Sequence, residues 1–301
     1  MARRALRRSP ALTAGLLIVT AATLLAIAGI TWGDPPRSTL VRLLGLPDPE
    51  MHDREVSRPP SPRATEHPLG TDDRGRDVLS RLLHGARVSV FVGISAEAVA
   101  LLCGLMVGLA AGYAGGRIDT LLMRLTDVLL SLPVPLMAMG AMVVFPRRSI
   151  VLVFMVLGLI GWGSIARLVR GEVLSLKERE FAEAARALGA GGGRIALRHL
   201  LPHAISPALV LSTAGVAGNI LTEAWLSFLG IGAGADTPTW GRMIFEANTY
   251  LQSYPMLSLL PGIALALTAG GFFLMADGLR EAMDPAASST AWKGRLAKEA
   301  S

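Results

Sequence analysis

Apolar residues along this chain gather into long blocks rather than into short alternating runs. The blocks are Ala11 to Thr31, Val88 to Tyr113, Leu121 to Phe145, Ile150 to Ala166, Ala204 to Phe228 and Met256 to Ala276. Roughly 20 residues at about 1.5 Å rise cross the hydrocarbon core of a bilayer, so each block predicts a transmembrane helix. Short links between the later blocks predict antiparallel neighbours. Pro133 and Pro135 fall inside the third block and predict a break there, as a hinge, a cavity-lining kink or a static kink with packing around it. No repeat of the length that marks a solenoid runs through the chain.

The polar stretches carry separate signals. Arg3, Arg4, Arg7 and Arg8 precede the first block. A secretory signal would look similar, and Ala26-Ile27-Ala28 resembles a cleavage site, but the apolar run exceeds the roughly 7–15 residues of such a signal. A retained first helix is the expectation. Gly33 to Arg87 is polar, with Pro35, Pro36, Pro47, Pro49, Pro59, Pro60 and Pro62 marking extended chain. Its last part, Asp77 to Arg87, places Val78, Leu79, Leu82 and Leu83 on one face, which predicts an amphipathic helix lying at the membrane interface.

The most informative polar stretch runs from Arg167 to Pro202. Ser175 and Glu178 fit a capping box and predict a helix start. Lys177 to Ala187 are mostly strong helix formers, and Phe181, Ala184, Ala185 and Leu188 share one face. Two of these four are alanines, so a partner's surface can approach the backbone closely. Gly189, Gly191, Gly192 and Gly193 stop the helix. A second short helix is predicted from Arg194 to Leu201, ending at Pro202. A polar helix, break, helix loop between membrane spans reads as a handle for a cytoplasmic partner, the alternative being a surface loop whose amphipathic helix rests on lipid headgroups.

Composition agrees with a membrane protein. The 301 residues are 51% hydrophobic and the mean hydropathy is +0.48. The net charge of +6 is read as arginines flanking spans and facing anionic lipid rather than as a nucleic-acid surface. Lys and Arg cluster at the N-terminus, at Arg117 and Arg124, through the Arg167 to Arg198 loop, and in the tail at Arg280, Lys293, Arg295 and Lys298. With six spans these regions lie on one side, and the positive-inside rule makes it cytoplasmic, placing both termini there. Arg147 and Arg148 oppose this, as do nine arginines between Gly33 and Arg87, although nine acidic residues neutralise that long segment. The single cysteine, Cys103, lies in an apolar run and suggests no thiol chemistry. His52, His67, His199 and His203 fall outside the spans and His84 falls in the interfacial stretch. No His-x3-His or His-Glu-x2-His motif falls within a span, as a membrane-embedded enzyme would need.

At Glu183-Ala184-Ala185, Gly189, His199 and Leu201-Pro202 the chain resembles the signature of ABC importer permeases, with histidine where isoleucine is usual. Further stretches resemble the C-type subunits of dipeptide and oligopeptide permeases. They include Leu69-Gly70-Thr71-Asp72-Asp73-Arg74-Gly75-Arg76-Asp77, Gly85-Ala86-Arg87-Val88-Ser89, Gly112-Tyr113-Ala114-Gly115-Gly116, Arg124-Leu125-Thr126-Asp127, Leu226-Ser227-Phe228-Leu229-Gly230, Trp240-Gly241 and Asp277 to Pro285. Two features depart from the pattern: the short turn Phe145-Pro146-Arg147-Arg148, and Glu97 well inside a span.

The resemblance implies an all-α membrane protein of the type I importer fold, with about six transmembrane helices and a cytoplasmic coupling helix. It divides the chain into residues 1–85 (first helix, external loop, interfacial helix), 86–281 (transmembrane domain) and 282–301 (tail). Glu183, Ala184, Ala185, Leu188, Gly189, Leu201 and Pro202 are implied to couple to an ATPase. The chain has no phosphate-binding Gly-x4-Gly-Lys loop, so ATP and Mg are expected on two partner ATPase subunits and no cofactor on this chain. A second homologous permease subunit and an extracytoplasmic substrate-binding protein are the other expected partners. The binding protein would dock on loops that include Gly230 to Tyr254. Ionisable or amide groups within spans, Glu97, Asn219 and Glu223, are candidates for the translocation path or for helix-to-helix hydrogen bonds. Peptide is the expected cargo, with nickel, glutathione or another small solute as the alternative.

Overall fold

With no water at hand, an apolar segment satisfies its backbone internally by forming a helix. The computed structural model describes residues 9–28, 67–145, 148–234 and 237–283, and among these no sheet occurs. The helices are α1 (Pro10–Ala28), α2 (Val78–Ala114), α3 (Gly116–Ser131), α4 (Val134–Val144), α5 (Ile150–Gly161), α6 (Gly163–Leu176), α7 (Glu180–Ala187), α8 (Leu201–Phe228), α9 (Trp240–Ala247) and α10 (Met256–Met283). The proline-rich part of the polar segment, the N-terminal arginines, Pro146 and Arg147, and the tail beyond Met283 lie outside the described residues.

Among the described residues, three helices are long and apolar enough to cross a membrane: α2, α10, and α8 taken with its lead-in from Gly192. The pairs α3–α4, bent by 90°, and α5–α6, bent by 40°, raise this to five if each pair is one span. The expectation of six therefore needs both bent pairs and the shorter α1. The break after α3 falls at Leu132 and Pro133, where the sequence places it. The fourth apolar block does not end at Ala166; after the bend at Trp162 the helix continues to Leu176.

α2 is the spine of the fold. Gly104, Gly108 and Gly112 recur every fourth residue and so form one ridge. Ile165, Val169 and Val173 of α6 recur at the same interval and sit on that ridge. A methyl group at Gly108 would lie 2.6 Å from the Ala166 carbonyl oxygen and 2.7 Å from Val169 Cβ. Without lipid-to-protein hydrophobic gain, helices in a membrane associate through such close backbone approach. Farther along α2, Gly93 meets Ile220 of α8. α1 packs on α10: a methyl at Gly271 would lie 2.6 Å from Ile18 Cγ2, and one at Gly278 2.5 Å from Leu12 Cβ.

The amphipathic stretch from Asp77 to Arg87 is not a separate interfacial helix. It forms the first turns of the 37-residue α2, with Val78, Arg81 and Ala86 buried. The expected boundary between residues 85 and 86 falls inside this helix. Asp77 caps it, accepting from the Ser80 backbone N–H at 2.7 Å. Packing continues through Gly85, which lies against Trp240 of α9. A partner element that the local pattern does not show turned a half-polar stretch into buried helix.

Candidate functional site

The loop between α6 and α8 is anchored by its inward residues and open on its outward ones. α6 runs nearly three turns past the fourth apolar block because Val173 and Leu176 bury themselves in the same cluster as Ile165 and Val169. Ser175 consequently sits inside α6, and the predicted capping box does not form. A cap is worth about 1 kcal/mol, whereas burying a Leu or Val contributes about 1.5–3 kcal/mol. Lys177 then donates Nζ to the Gly112 carbonyl at 3.2 Å, and Arg179, in extended backbone, stands at the N-cap of α7.

α7 carries Glu180 and Glu183 in its first turn and Arg186 in its last, the arrangement its dipole favours. Its end is a Schellman motif: Gly189 N–H reaches the Arg186 carbonyl at 2.9 Å and Ala190 N–H the Ala185 carbonyl at 3.0 Å. Gly189 supplies the required φ of 81°, which costs other residues steric strain. Ala182 is fully buried against the cluster holding Ile195, Leu200 and Ala204. The Phe181 and His203 rings lie 5.6 Å apart. On the return, a methyl at Gly192 would lie 2.6 Å from the Tyr113 hydroxyl.

The predicted face is the outward one. Leu188 is 89% exposed and Phe181 37%; Glu183, Ala184 and Gly189 are exposed and Ala185 is half-buried. The loop is thus rooted through Ala182 and presents a short helix with small and apolar residues outward.

Leu201 and Pro202 do not end a helix. A turn at Gly192–Arg194 leads into a π-helical stretch, Ile195–Leu200, and α8 continues through to Phe228. The Leu201 N–H reaches back five residues to the Ala196 carbonyl. Pro202 has no N–H and its ring would press on the carbonyl four residues back. The wider π turn ahead of it relieves that conflict without breaking the helix.

Glu97, Asn219 and Glu223 come together along the contact between α2 and α8. Asn219 Nδ2 donates to Glu97 Oε2 at 2.9 Å, and both residues are buried. Gly215 lies directly against the Glu97 carboxylate, where a larger residue would collide. Glu223 is fully buried and accepts from Ser89 Oγ at 2.9 Å and Ser227 Oγ at 2.7 Å. All three side chains therefore face another helix of the same chain.

A further cluster escaped the sequence reading. Glu246 on α9 binds three arginines: Arg76 Nη2 at 2.7 Å and Arg81 Nη2 at 2.8 Å on Oε2, and Arg242 Nε at 2.9 Å on Oε1. Asp72 Oδ2 also takes Arg76 Nε at 2.7 Å. His67 Nδ1 lies 3.1 Å from Asp77 Oδ1, and Trp240 Nε1 donates to the Leu82 carbonyl at 3.1 Å. Burial pushes the Glu246 carboxyl up, but the charges of Arg81 and Arg76 and the bond from Arg242 outweigh it and hold it below the usual carboxylate range. Arg76 and Glu246 are 170 positions apart, so no local spacing could pair them. Among the described residues, no group of three or more His, Cys, Asp or Glu side chains is placed to hold a metal ion.

A family model described as binding-protein-dependent transport system inner membrane component matches residues 104–289. The dipeptide transport system permease protein of Alkalihalophilus pseudofirmus is 41% identical over 222 residues, 74% of this chain and 73% of the relative. The oligopeptide transport system permease protein of Bacillus subtilis is 39% identical over 230 residues, covering 76% and 74%. The glutathione transport system permease protein of Pectobacterium atrosepticum is 39% identical over 222 residues, covering 74% and 73%.

Proposed function

The chain belongs to the family of binding-protein-dependent transport system inner membrane components, and from that premise we propose that it is a permease subunit of an ATP-driven importer of di- and oligopeptides. It is a multi-pass membrane protein that provides part of a path rather than a catalytic centre. The permease pairs with a second, homologous subunit, receives peptide from an external binding protein, and is driven by two ATPase subunits that consume ATP with Mg. Relatives named for dipeptide and oligopeptide transport support peptide as cargo; the glutathione permease supports a small thiol peptide as the second reading.

The observation that carries this reading is α7. A helix rooted by Ala182 and tightly capped at Gly189, with Phe181, Ala184 and Leu188 outward, has the form of a helix laid into a groove on another protein. Glu183, Ala184, Ala185, Leu188 and Gly189 form the docking element. Leu201 and Pro202 set how the loop enters α8. Because α6 is seated on α2 along the glycine ridge, force on α7 passes to the bundle as a unit, and the spans alternate between inward- and outward-facing states.

The test uses the assembled complex in vesicles, with labelled dialanine and a labelled pentapeptide as cargo and glutathione as competitor. Gly189→Leu meets no neighbour within 4 Å but must adopt a positive φ, so α7 is expected to unwind or lengthen where the chain must turn. Binding-protein-stimulated ATPase activity and uptake should both fall at least about tenfold. Unchanged stimulation and uptake would exclude α7 as the coupling element. Uptake of glutathione in preference to either peptide would move the cargo to the second reading.

A further inference from the structure

α3 stands apart from the helices around it. Of its sixteen residues, Thr126 alone is buried, while Ile118, Leu121, Leu125 and Val128 are each more than half exposed. Both ends of α3 are breaks. At the first, Gly115 and Gly116 take φ of 64° and 55°, and nothing lies within 4 Å of where their side chains would start. At the second, the chain turns through 90° at Leu132 and Pro133 into α4. α3 is thus a rigid rod between two bends.

The contact of the rod with the body combines packing and charge, and Leu129 reaches the cluster that holds Ile165 and Val169. Gly163 leaves room for Leu130, 3.2 Å from where its side chain would begin, and for Thr126 at 3.4 Å. Two ion pairs complete the contact. Arg170 meets both carboxylate oxygens of Asp119, with Nη2 to Oδ2 at 2.6 Å. Arg167 Nη2 donates to Asp127 Oδ1 at 2.8 Å, with both side chains more than half exposed. The Asp127–Arg167 pair is exposed and so binds weakly, whereas the bidentate Asp119–Arg170 pair is partly buried and is the firmer half of the contact. α6, in contrast, is locked along α2 and runs straight into the loop that carries α7.

We propose that α3 is a lever of the transport cycle, latched on α6 through Asp119–Arg170 and Asp127–Arg167 and swinging free between its glycine and proline bends in the opposite state. Asp119, Asp127, Arg167 and Arg170 are positioning residues in this scheme, since they set where α3 and the broken segment after it stand. The proposal rests on the transport reading above.

The experiment uses the complete complex in vesicles, with Cys103→Ser as background and labelled dialanine as cargo. Asp127→Cys with Arg167→Cys is bridged by a reducible bifunctional maleimide. A lever predicts at least a tenfold loss of uptake while the bridge is closed and recovery when it is reduced. Native uptake with the bridge closed would overturn it. In a second arm, Asp127→Arg should lower the peptide moved per ATP hydrolysed at least threefold at normal complex yield, and adding Arg167→Asp should restore it. A loss that the swap does not restore counts against the latch, and if the reversed variants do not assemble, the cross-link arm decides. Failure of the parent complex to take up dialanine or any other peptide tested would instead overturn the transport reading, and the lever with it.

Discussion

Glu246 stays charged because three arginines converge on it, and those arginines are tolerated in buried positions because Glu246 and Asp72 meet them. Arg76 and Arg81 are 1% and 2% exposed, where an unmatched charge is costly. Glu246→Gln keeps the shape and removes the countercharge, and is expected to destabilise by about 3–5 kcal/mol, the usual cost of breaking a buried pair from one side. The pH dependence has a definite sign. A carboxyl held low in the folded state adds stability above its unfolded pKa of about 4.3, and loses it as pH falls through the lower folded value. Thermal midpoints of the purified complex should therefore be insensitive to this group from pH 7 to 5 and fall below about pH 4. The fall should be shallower in Glu246→Gln; an equal fall in both would show that other groups govern acid stability.

Elements here are positioned by glycine where helices touch and by polar caps where they end. The ridge of Gly104, Gly108 and Gly112 lets α6 approach α2 so closely that a methyl at Gly108 would meet the Ala166 backbone at 2.6 Å. Gly108→Val is expected to cost about 1–3 kcal/mol or more, because backbone cannot move aside as a side chain can. Gly140→Ala, with nothing within 4 Å, is the matched control and should leave complex yield and thermal midpoint unchanged. Equal behaviour of the two variants would mean that the α2–α6 contact is not limiting for stability. α7 shows the complementary rule. Its C-terminus follows local chemistry, with Gly189 in the position a Schellman motif requires. Its N-terminus does not follow the Ser175 box, because burial of Val173 and Leu176 extends α6 past it.

For the molecule as a whole, orientation follows from where Lys and Arg concentrate. If both bent pairs and α1 cross the bilayer, the positive-inside rule predicts the α6–α8 loop and the tail on the cytoplasmic side and the long segment before α2 outside. Single cysteines at Ser61, Ala187 and Ser289, in a Cys103→Ser background, check this with an impermeant thiol reagent on intact cells. Ser61→Cys should react, whereas Ala187→Cys and Ser289→Cys should react only after permeabilisation. Reaction of Ala187→Cys in intact cells would invert the loop and remove it from reach of a cytoplasmic ATPase.

The amino-acid sequence suffices for the class of this protein, because apolar blocks about a bilayer thick have one way to satisfy their backbone short of a closed barrel. It also placed the break at Pro133 and the stop at Gly189, where a missing N–H and a positive φ act locally. The loop from Glu183 to Gly189 was legible for the same reason: helix formers, a shared face and a glycine lie within one short stretch. Tertiary structure decided what depends on distant partners. Asp77 to Arg87 became core helix because α9 covers it. Leu201-Pro202 became mid-helix because a π turn precedes them. Glu97, Asn219 and Glu223 face the α2–α8 contact, which hydropathy could not distinguish from a path. The arginine cluster around Glu246 joins residues that only folding brings within 3 Å, and the separation of α3 from the body it leans on appears only once its neighbours are in place.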